Sequence, residues 1–301
     1  MNYAILNLSN IFLALDELRA LNGKDISYFY GISLYEGDPY IARRSALIKV
    51  SGKLISVSND IEKIKGDIKG NCYSVDLHVP SREDKEYAKN VYEELIKSIS
   101  LSKRCNKLDV IVSEGQIVVG ERYAEKDTES IARHSKRPYT RSGSLNVELA
   151  RLMLNLSRSR SNVLDPFVGT GTILIEANWL GLKCIGIDID EQMIKNTKIN
   201  LDYFHYECEL IHADTNTLPI TRSEAIVTDP PYGRSFTPKG LSELYQNFFA
   251  EASNITKNLI FTTDSRFDWR DTLKSYGFKQ IKIHTVFEHK SLSRAIYVVR
   301  K

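Results

Sequence analysis

Asp229, Pro230, Pro231 and Tyr232 stand together in the run TDPPYGRS, at the end of a short apolar segment. The run supplies a carboxylate, two backbone units of fixed φ that lack an N–H, and an aromatic ring. Such a set suits chemistry on the exocyclic amine of a nucleobase, a poor nucleophile because its lone pair is delocalised into the ring. The Asp229 carboxylate and the Pro230 carbonyl can accept the two amine hydrogens, favour a pyramidal nitrogen and aim its lone pair at an electrophile. Asp229 can also take the departing proton. Tyr232 can stack on a base turned out of its helix, worth about 1–3 kcal/mol. The plain structural alternative is a proline-rich turn with Asp229 as a cap.

A second cluster lies upstream, in NVLDPFVGTGTILIEA at 162–177. A strand ending at Asp165 runs through a turn with Gly169 and Gly171 into a helix that starts near Thr172. Glycines let backbone approach a ligand closely, and a helix N-terminus favours an anion. The methionine carboxylate of S-adenosylmethionine fits that end, and Asp165 can face its ammonium. A dinucleotide loop requires a third glycine where Leu174 stands, which argues against a nicotinamide enzyme. Asp188 ends the next strand, in GIDID, where ribose hydroxyls are bound in such folds. Asp214, in HADTN, is placed to accept a hydrogen bond from an adenine amino group. Phe167, Thr170 and Thr172 in the turn, with Ile189 and Thr215 just past the later carboxylates, complete the expected cofactor contacts. Either later Asp alone is more commonly a helix cap. Aspartates at the ends of three successive strands suggest one ligand edge.

These residues need a framework that brings strand ends together. Strand candidates at 162–165, 183–189, 208–213, 224–229 and 258–264 alternate mostly with helical patterns, the rhythm of a doubly wound parallel sheet. The segments 278–289 and 293–301 are joined by a turn too short for anything but antiparallel pairing. The expected fold class is therefore α/β, a Rossmann-like sheet that is parallel with a C-terminal antiparallel hairpin, as in methyltransferases that use S-adenosylmethionine. A smaller N-terminal α/β domain is expected before it. There CYSVDLHV (72–79) alternates like a half-buried strand, 85–99 has helical apolar spacing, and LDVIV and IVVGERY flank a Gly-containing hairpin turn. Residues 1–60 carry no pattern that assigns them. The boundary is expected at 136/137, giving regions 1–136 and 137–301.

Hydrophobic residues make up 42% and charged residues 26% of 301, a globular balance, and no run is apolar enough to span a bilayer. The start carries no secretory pattern. Cys72, Cys105, Cys184 and Cys208 are too scattered for a zinc knuckle, so reduced thiols, a cytoplasmic location and no required metal are expected. Net charge is only +3, yet Arg133 to Arg160 holds seven Lys or Arg against the single acid Glu148. Such a stretch suits phosphate contacts, although most charge runs are merely solvated. Arg133, Lys136, Arg137 and Arg141 there, and Arg234 after the Tyr232 ring, are the candidate RNA contacts, with Arg43 and Arg44 weaker ones.

DPFVGTGTILIEA, GIDIDEQMIKNTKINL and TDPPYGRS, in that order, resemble the archaeal tRNA guanine-N2 methyltransferases that act on guanine at position ten. RPYTRSGSLNVELARLMLNL (137–156) resembles the segment ahead of the cofactor loop in that family. The resemblance covers residues 130–235 and implies S-adenosylmethionine as cofactor, tRNA as substrate, and an enzyme adding one or two methyl groups to guanine N2; a monomer is expected. The resemblance also implies a THUMP-like tRNA-binding module at about 60–125, here shorter than the family pattern and without a proline before its NKLDVIV strand. Val168 stands where the family often has Cys. Asp-Pro-Pro-Tyr is shared with adenine-N6 DNA methyltransferases, so that activity and methylation of another RNA guanine are the alternatives. A protein amide is a further possible substrate, and a non-catalytic RNA-binding protein is the alternative from outside enzymes.

Overall fold

The computed structural model describes residues 1–21, 24–69, 72–232, 238–289 and 292–301. The chain divides into two compact units, Met1–Asp127 and Thr128–Lys301.

Residues 1–60 are strand-rich. Unit 1 runs β1 (Asn2–Leu6), α1 (Ile11–Ala20), β2 (Lys24–Phe29), β3 (Ile32–Glu36), β4 (Ile48–Ser58), α2 (Ile61–Asp67), β5 (Cys72–His78), α3 (Lys85–Ile96), β6 (Ser100–Leu101), β7 (Lys107–Ser113) and β8 (Gln116–Glu125). Among the described residues these strands form one sheet, ordered β2-β3-β1-β4-β8-β7-β5-β6. The strand, helix and hairpin expected at 72–125 are present. The helix stops at Ile96 rather than 99, where the Ser98 amide and hydroxyl turn back onto the Leu95 carbonyl. At the hairpin turn Glu114 and Gly115 both have positive φ, matching the twist of the strands it joins.

Within this unit Asp109 is fully buried among donors. It accepts hydrogen bonds from Tyr3 Oη at 2.5 Å and Arg122 Nε at 2.9 Å, and lies 2.7 Å from His78 Nε2. Asp76, His78 and Asp109 have metal-ligand spacing, but Arg122 already lies among them, bridging the two carboxylates. Burial pushes the Asp109 carboxyl up, and the bonds from Arg122, His78 and Tyr3 outweigh it and hold it down at about 2. Its folded value lies below the ordinary one, so this stabilisation is complete above about pH 4 and is lost as pH falls through about 2. Asp109→Ala leaves Arg122 short of its innermost partner. Denaturant unfolding of the full chain should show unit 1 less stable by about 3–5 kcal/mol; a cost within error would mean the cluster does not hold the sheet.

Unit 2 runs α4 (Thr128–His134), α5 (Val147–Ser157), β9 (Asn162–Asp165), α6 (Thr172–Trp179), β10 (Lys183–Asp188), α7 (Glu191–Tyr203), β11 (Glu209–His212), β12 (Ala225–Thr228), α8 (Pro238–Ile255), β13 (Asn258–Asp264), α9 (Arg270–Ser275), β14 (Gln280–His289) and β15 (Leu292–Arg300). Its sheet is ordered β11-β10-β9-β12-β13-β15-β14, parallel from β11 through β13 and antiparallel at β15 and β14. The parallel sheet with a terminal antiparallel hairpin is as expected. Leu164, Ile226, Phe261 and Tyr297 share a core with Tyr245, Phe248 and Phe249 of α8 and Leu273 of α9. The alternate residues Val163, Val227 and Ile260 are equally buried, as a sheet covered on both faces requires.

Two expectations are corrected. The unit boundary lies after Asp127, not at 136, because α4 packs with α5 and α6. Its His134 Nδ1 meets Glu176 of α6 at 2.5 Å, and Arg151 of α5 donates to the same carboxylate at 2.6 Å, all three side chains fully buried. The cysteines are not free thiols: Cys72 bonds to Cys105 and Cys184 to Cys208. Sequence spacing hid the second pair because parallel pairing of Ile185 with Glu209 sets Cys184 opposite Cys208. That bridge closes a loop 24 residues apart in sequence, so replacing both cysteines with Ser should lower stability by about 3 kcal/mol in chemical unfolding, whereas an unchanged midpoint would show the bond is not formed.

Candidate active site

The carboxyl ends of β9, β10, β11 and β12 open onto one cavity of about 740 Å³, within the roughly 300–1,000 Å³ typical of small-molecule sites. Asp165, Asp188, Asp214 and Asp229 all line it, each at or just past the end of its own strand. Phe167, Gly169, Thr170 and Thr172 of the turn line it too, as do Ile189, Thr215, Pro230 and Tyr232. Every cofactor or catalytic candidate reaches the cavity except Gly171. That glycine adopts φ 81° at the N-cap of α6, and a Cβ there would lie 2.7 Å from Thr197 Cγ2. Close packing of α7 and a left-handed backbone, rather than ligand contact, therefore demand a glycine at 171.

The turn is held from three sides. Asp188 Oδ2 accepts the Gly169 amide at 2.9 Å, and its other oxygen accepts the Asp190 amide at 3.0 Å. Thr197 Oγ1 donates to the Gly169 carbonyl at 2.7 Å. Asn200, fully buried, donates to the carbonyls of Thr170 at 2.8 Å and Tyr139 at 2.9 Å, and accepts the Tyr139 amide at 2.8 Å. Asn200 thus ties the loop ahead of α5 to the glycine turn, and residues 141–145 join the cavity wall. Asp214 lines the cavity and accepts the Asn216 amide at 2.9 Å, which closes a local turn rather than capping a helix. Ile189 is 65% exposed although apolar, a face suited to the flat side of a heterocycle.

At the other end of the cavity Thr262 Oγ1 donates to Asp229 Oδ1, orienting the carboxylate. Arg294 Nη1 lies 3.8 Å from Asp229 Oδ2. Burial pushes the Asp229 carboxyl up; the Arg294 charge and hydrogen bonds from Thr262 and Tyr232 oppose it without cancelling it. Burial raises the Tyr232 hydroxyl as well, so the ring is neutral. Asp165 is pushed up to about 7, mainly by burial, against hydrogen bonds from Thr228 Oγ1 (2.6 Å) and the Phe167 amide (3.2 Å). The charges of Asp188 and Asp229 add to that rise. A cavity wall this rich in carboxylates suits a cation.

The basic stretch is less uniform than its composition. Arg141 is exposed and lines the cavity, and Arg133 and Lys136 are exposed away from it. Arg137 is buried, with burial pulling its guanidinium pKa down, so it does not present its charge to a phosphate. Arg151 is likewise internal, stacked 3.7 Å over the Trp179 ring. Arg234 falls outside the described residues. Sequence reasoning missed Thr197, Asn200 and Arg294. Their signal was a polar residue on an otherwise inward face: Thr197 and Asn200 lie one turn apart on α7 beside Leu201, and Arg294 keeps the inward register of Ile296 and Val298.

Residues 134–294 match the family model described as RMKL-like, methyltransferase domain. This chain belongs to that methyltransferase family. A DNA methylase model matches residues 49–199, stopping short of Asp229. The methyltransferase is 39% identical over 171 residues to the tRNA (guanine(10)-N2)-dimethyltransferase of Pyrococcus abyssi, covering 54% of this chain and 52% of that protein. It is 33% identical to the Methanothermobacter thermautotrophicus protein of the same name, covering 67% and 63%. The chain thus spans between half and two thirds of these relatives' length. The crystal structure of TrmN from Thermus thermophilus superposes with a TM-score of 0.55 at 19% identity, over 100% of this chain and 99% of that one, which shows the shared fold.

S-adenosylmethionine suits this methyltransferase cavity by charge, since the four aspartates that line it would offset its sulfonium and ammonium. Asp165, half protonated at about pH 7, must ionise to pair with a cation. Cofactor binding should therefore release a proton, approaching about one per site near pH 6 and falling toward zero above about pH 8. Titration calorimetry in buffers of different ionisation enthalpy measures this. Buffer-independent heats at pH 6 would remove Asp165 from the cation's surroundings.

Proposed function

We propose that this protein methylates the exocyclic N2 amine of a guanine in tRNA, using S-adenosylmethionine, with the guanosine at position ten as the target. One observation carries the reading: Asp229, Pro230 and Tyr232 share a single cavity with the glycine turn and the carboxylates of β9, β10 and β11. The relatives' names supply the base, the RNA and a second methylation.

The cofactor, when bound, supplies a methyl group on a positively charged sulfur. The chain's own residues do the rest. Asp165 would pair with the methionine ammonium, Asp188 would accept from the ribose hydroxyls, Asp214 and Thr215 would hold the adenine, and Ile189 would cover its flat face. Asp229 and the Pro230 carbonyl accept the hydrogens of the guanine amine and direct its lone pair, while Tyr232 stacks on the everted base. The proton lost from nitrogen passes to Asp229, whose proton affinity burial has raised.

Unit 1 serves as the docking surface for tRNA, its part from about 60 to 125 acting as a THUMP-like module. Exposed Arg43, 4.7 Å above the Tyr40 ring, adds a cation beside an aromatic face. Arg133, Lys136 and Arg141 extend the contact with RNA phosphates. The enzyme works as a monomer in the cytoplasm and needs no metal. Among the described residues no helix is long and apolar enough to cross a membrane. The DNA methylase match supports one rival, an adenine amine in DNA.

Nucleosides from tRNA treated with the enzyme and cofactor should contain N2-methylguanosine or N2,N2-dimethylguanosine by mass spectrometry, with duplex DNA unmodified; N6-methyldeoxyadenosine in the duplex DNA, with the tRNA unmodified, would favour the rival. Asp229→Ala should lower transfer by at least about 100-fold while calorimetry finds cofactor affinity preserved. Asp188→Ala should instead weaken cofactor binding by about 10-fold or more. Substantial turnover by the first variant would exclude Asp229 from the chemistry.

A further inference from the structure

Arg294 lies at the edge of the candidate active site with guanidinium donors unused. It sits on β15, opposite Asp264 of β13 and Val286 of β14. Its side chain is only 6% exposed, yet it lines the cavity. The cross-strand carboxylate of Asp264 is held by Arg266 at 2.5 Å. The other nearby carboxylates stand off: Asp229 Oδ2 is 3.8 Å from Nη1 and Glu288 Oε1 is 3.5 Å from Nε. Neither Nη1 nor Nε has a hydrogen-bond partner among the described residues. Buried N–H groups of a charged guanidinium are normally satisfied by protein, water or ligand. The guanidinium carbon is also 5.7 Å from the centroid of the Tyr232 ring.

Position within the sheet says which ligand these donors face. The carboxylates suited to the cofactor end β9, β10 and β11, on one side of β12. Arg294 lies on the other side, beyond β13, beside the carboxylate that holds the amine and the ring that stacks the base. A cationic sulfonium gains nothing from a second cation, whereas a purine edge gains from a donor. In guanine the amino group adjoins N3, an acceptor, and on its other side N1–H leads to the O6 carbonyl.

We propose that Arg294 is a base-reading residue, its guanidinium donating to a ring-edge acceptor of the target guanine beside the amine held by Asp229. The inference rests on the guanine-amine function given above and extends it to a specificity determinant. Asp229 positions the nitrogen, and Arg294 fixes the rotation of the base in its plane, so that the lone pair meets the methyl carbon. A base with the wrong edge leaves the donors unpaired and is rejected.

The test uses full-length wild type, Arg294→Lys and Arg294→Met on tRNA assembled with guanosine, 2-aminopurine riboside or 3-deazaguanosine at the target position. Both analogues keep the 2-amino group. The first lacks O6, and the second lacks the N3 acceptor. Any change in the amine's own reactivity affects all three enzymes alike. Wild type should lose about 10- to 100-fold in kcat/KM on one analogue. Each variant should lose about as much on guanosine and show no further loss on that same analogue, which identifies the acceptor. Lys keeps the charge beside Asp229, so it guards against a misfolded Met variant, and thermal unfolding with cofactor affinity checks both. Wild type indifferent to both analogues, variants as sensitive as wild type to each, or a variant whose main defect is cofactor affinity would overturn the proposal. Failure of wild type to methylate unmodified tRNA would instead overturn the parent function, and this inference with it.

Discussion

Carboxylates accumulate at the carboxyl edge of the second unit because parallel pairing leaves no choice. When β11, β10, β9 and β12 run in the same direction, all four strands release their chains at one edge, and Asp165, Asp188, Asp214 and Asp229 are delivered to one cavity. Mutual repulsion and burial make that arrangement costly without a cation, as the raised carboxyl of Asp165 records. The site is thus built around a positive charge that, among the described residues, the protein itself supplies only at Arg141 and Arg294 along the cavity wall.

The rest of the unit keeps this edge in place. Thr197 and Asn200 brace the glycine turn from α7, and the buried Asn200 also pins the chain ahead of α5. Glu176 gathers His134 and Arg151, locking α4 and α5 onto α6. On the opposite face Phe167 meets Phe248 edge-on with centroids 5.3 Å apart, so α8 supports the turn through an aromatic core. Thr228 and Thr262 then orient the two most deeply placed carboxylates, Asp165 and Asp229. Apart from that aromatic contact, each brace is a short polar one, fully formed only when neighbouring elements are docked.

The polar lining also divides labour within one pocket. The carboxylates on β9, β10 and β11 favour a cationic, hydroxyl-rich ligand, whereas Asp229, Tyr232 and Arg294 offer an acceptor, a flat ring and a donor suited to a heterocyclic edge. The boundary between the two regions coincides with the reversal of strand order between β9 and β12, where doubly wound sheets bind their ligands.

Most of this edge was legible in the sequence. Strand periodicity, the glycines and the prolines are local signals, and each of the four aspartates stands at or just past the end of a strand-like segment. Those features placed the sheet, the terminal hairpin and about half of the residues that line the cavity. What the sequence did not reveal depends on distance between elements. The cysteine pairs, the burial of Arg137, the inward turn of Asn200 and the unused donors of Arg294 arise from how strands register and helices pack. The strand pattern of residues 1–60 escaped because no regular periodicity marked it, and that sheet is completed by strands far along the chain. Local chemistry determines which residues can form a site; only tertiary packing decides which of them meet, because burial and hydrogen-bond partners come from elements that the chain order keeps apart.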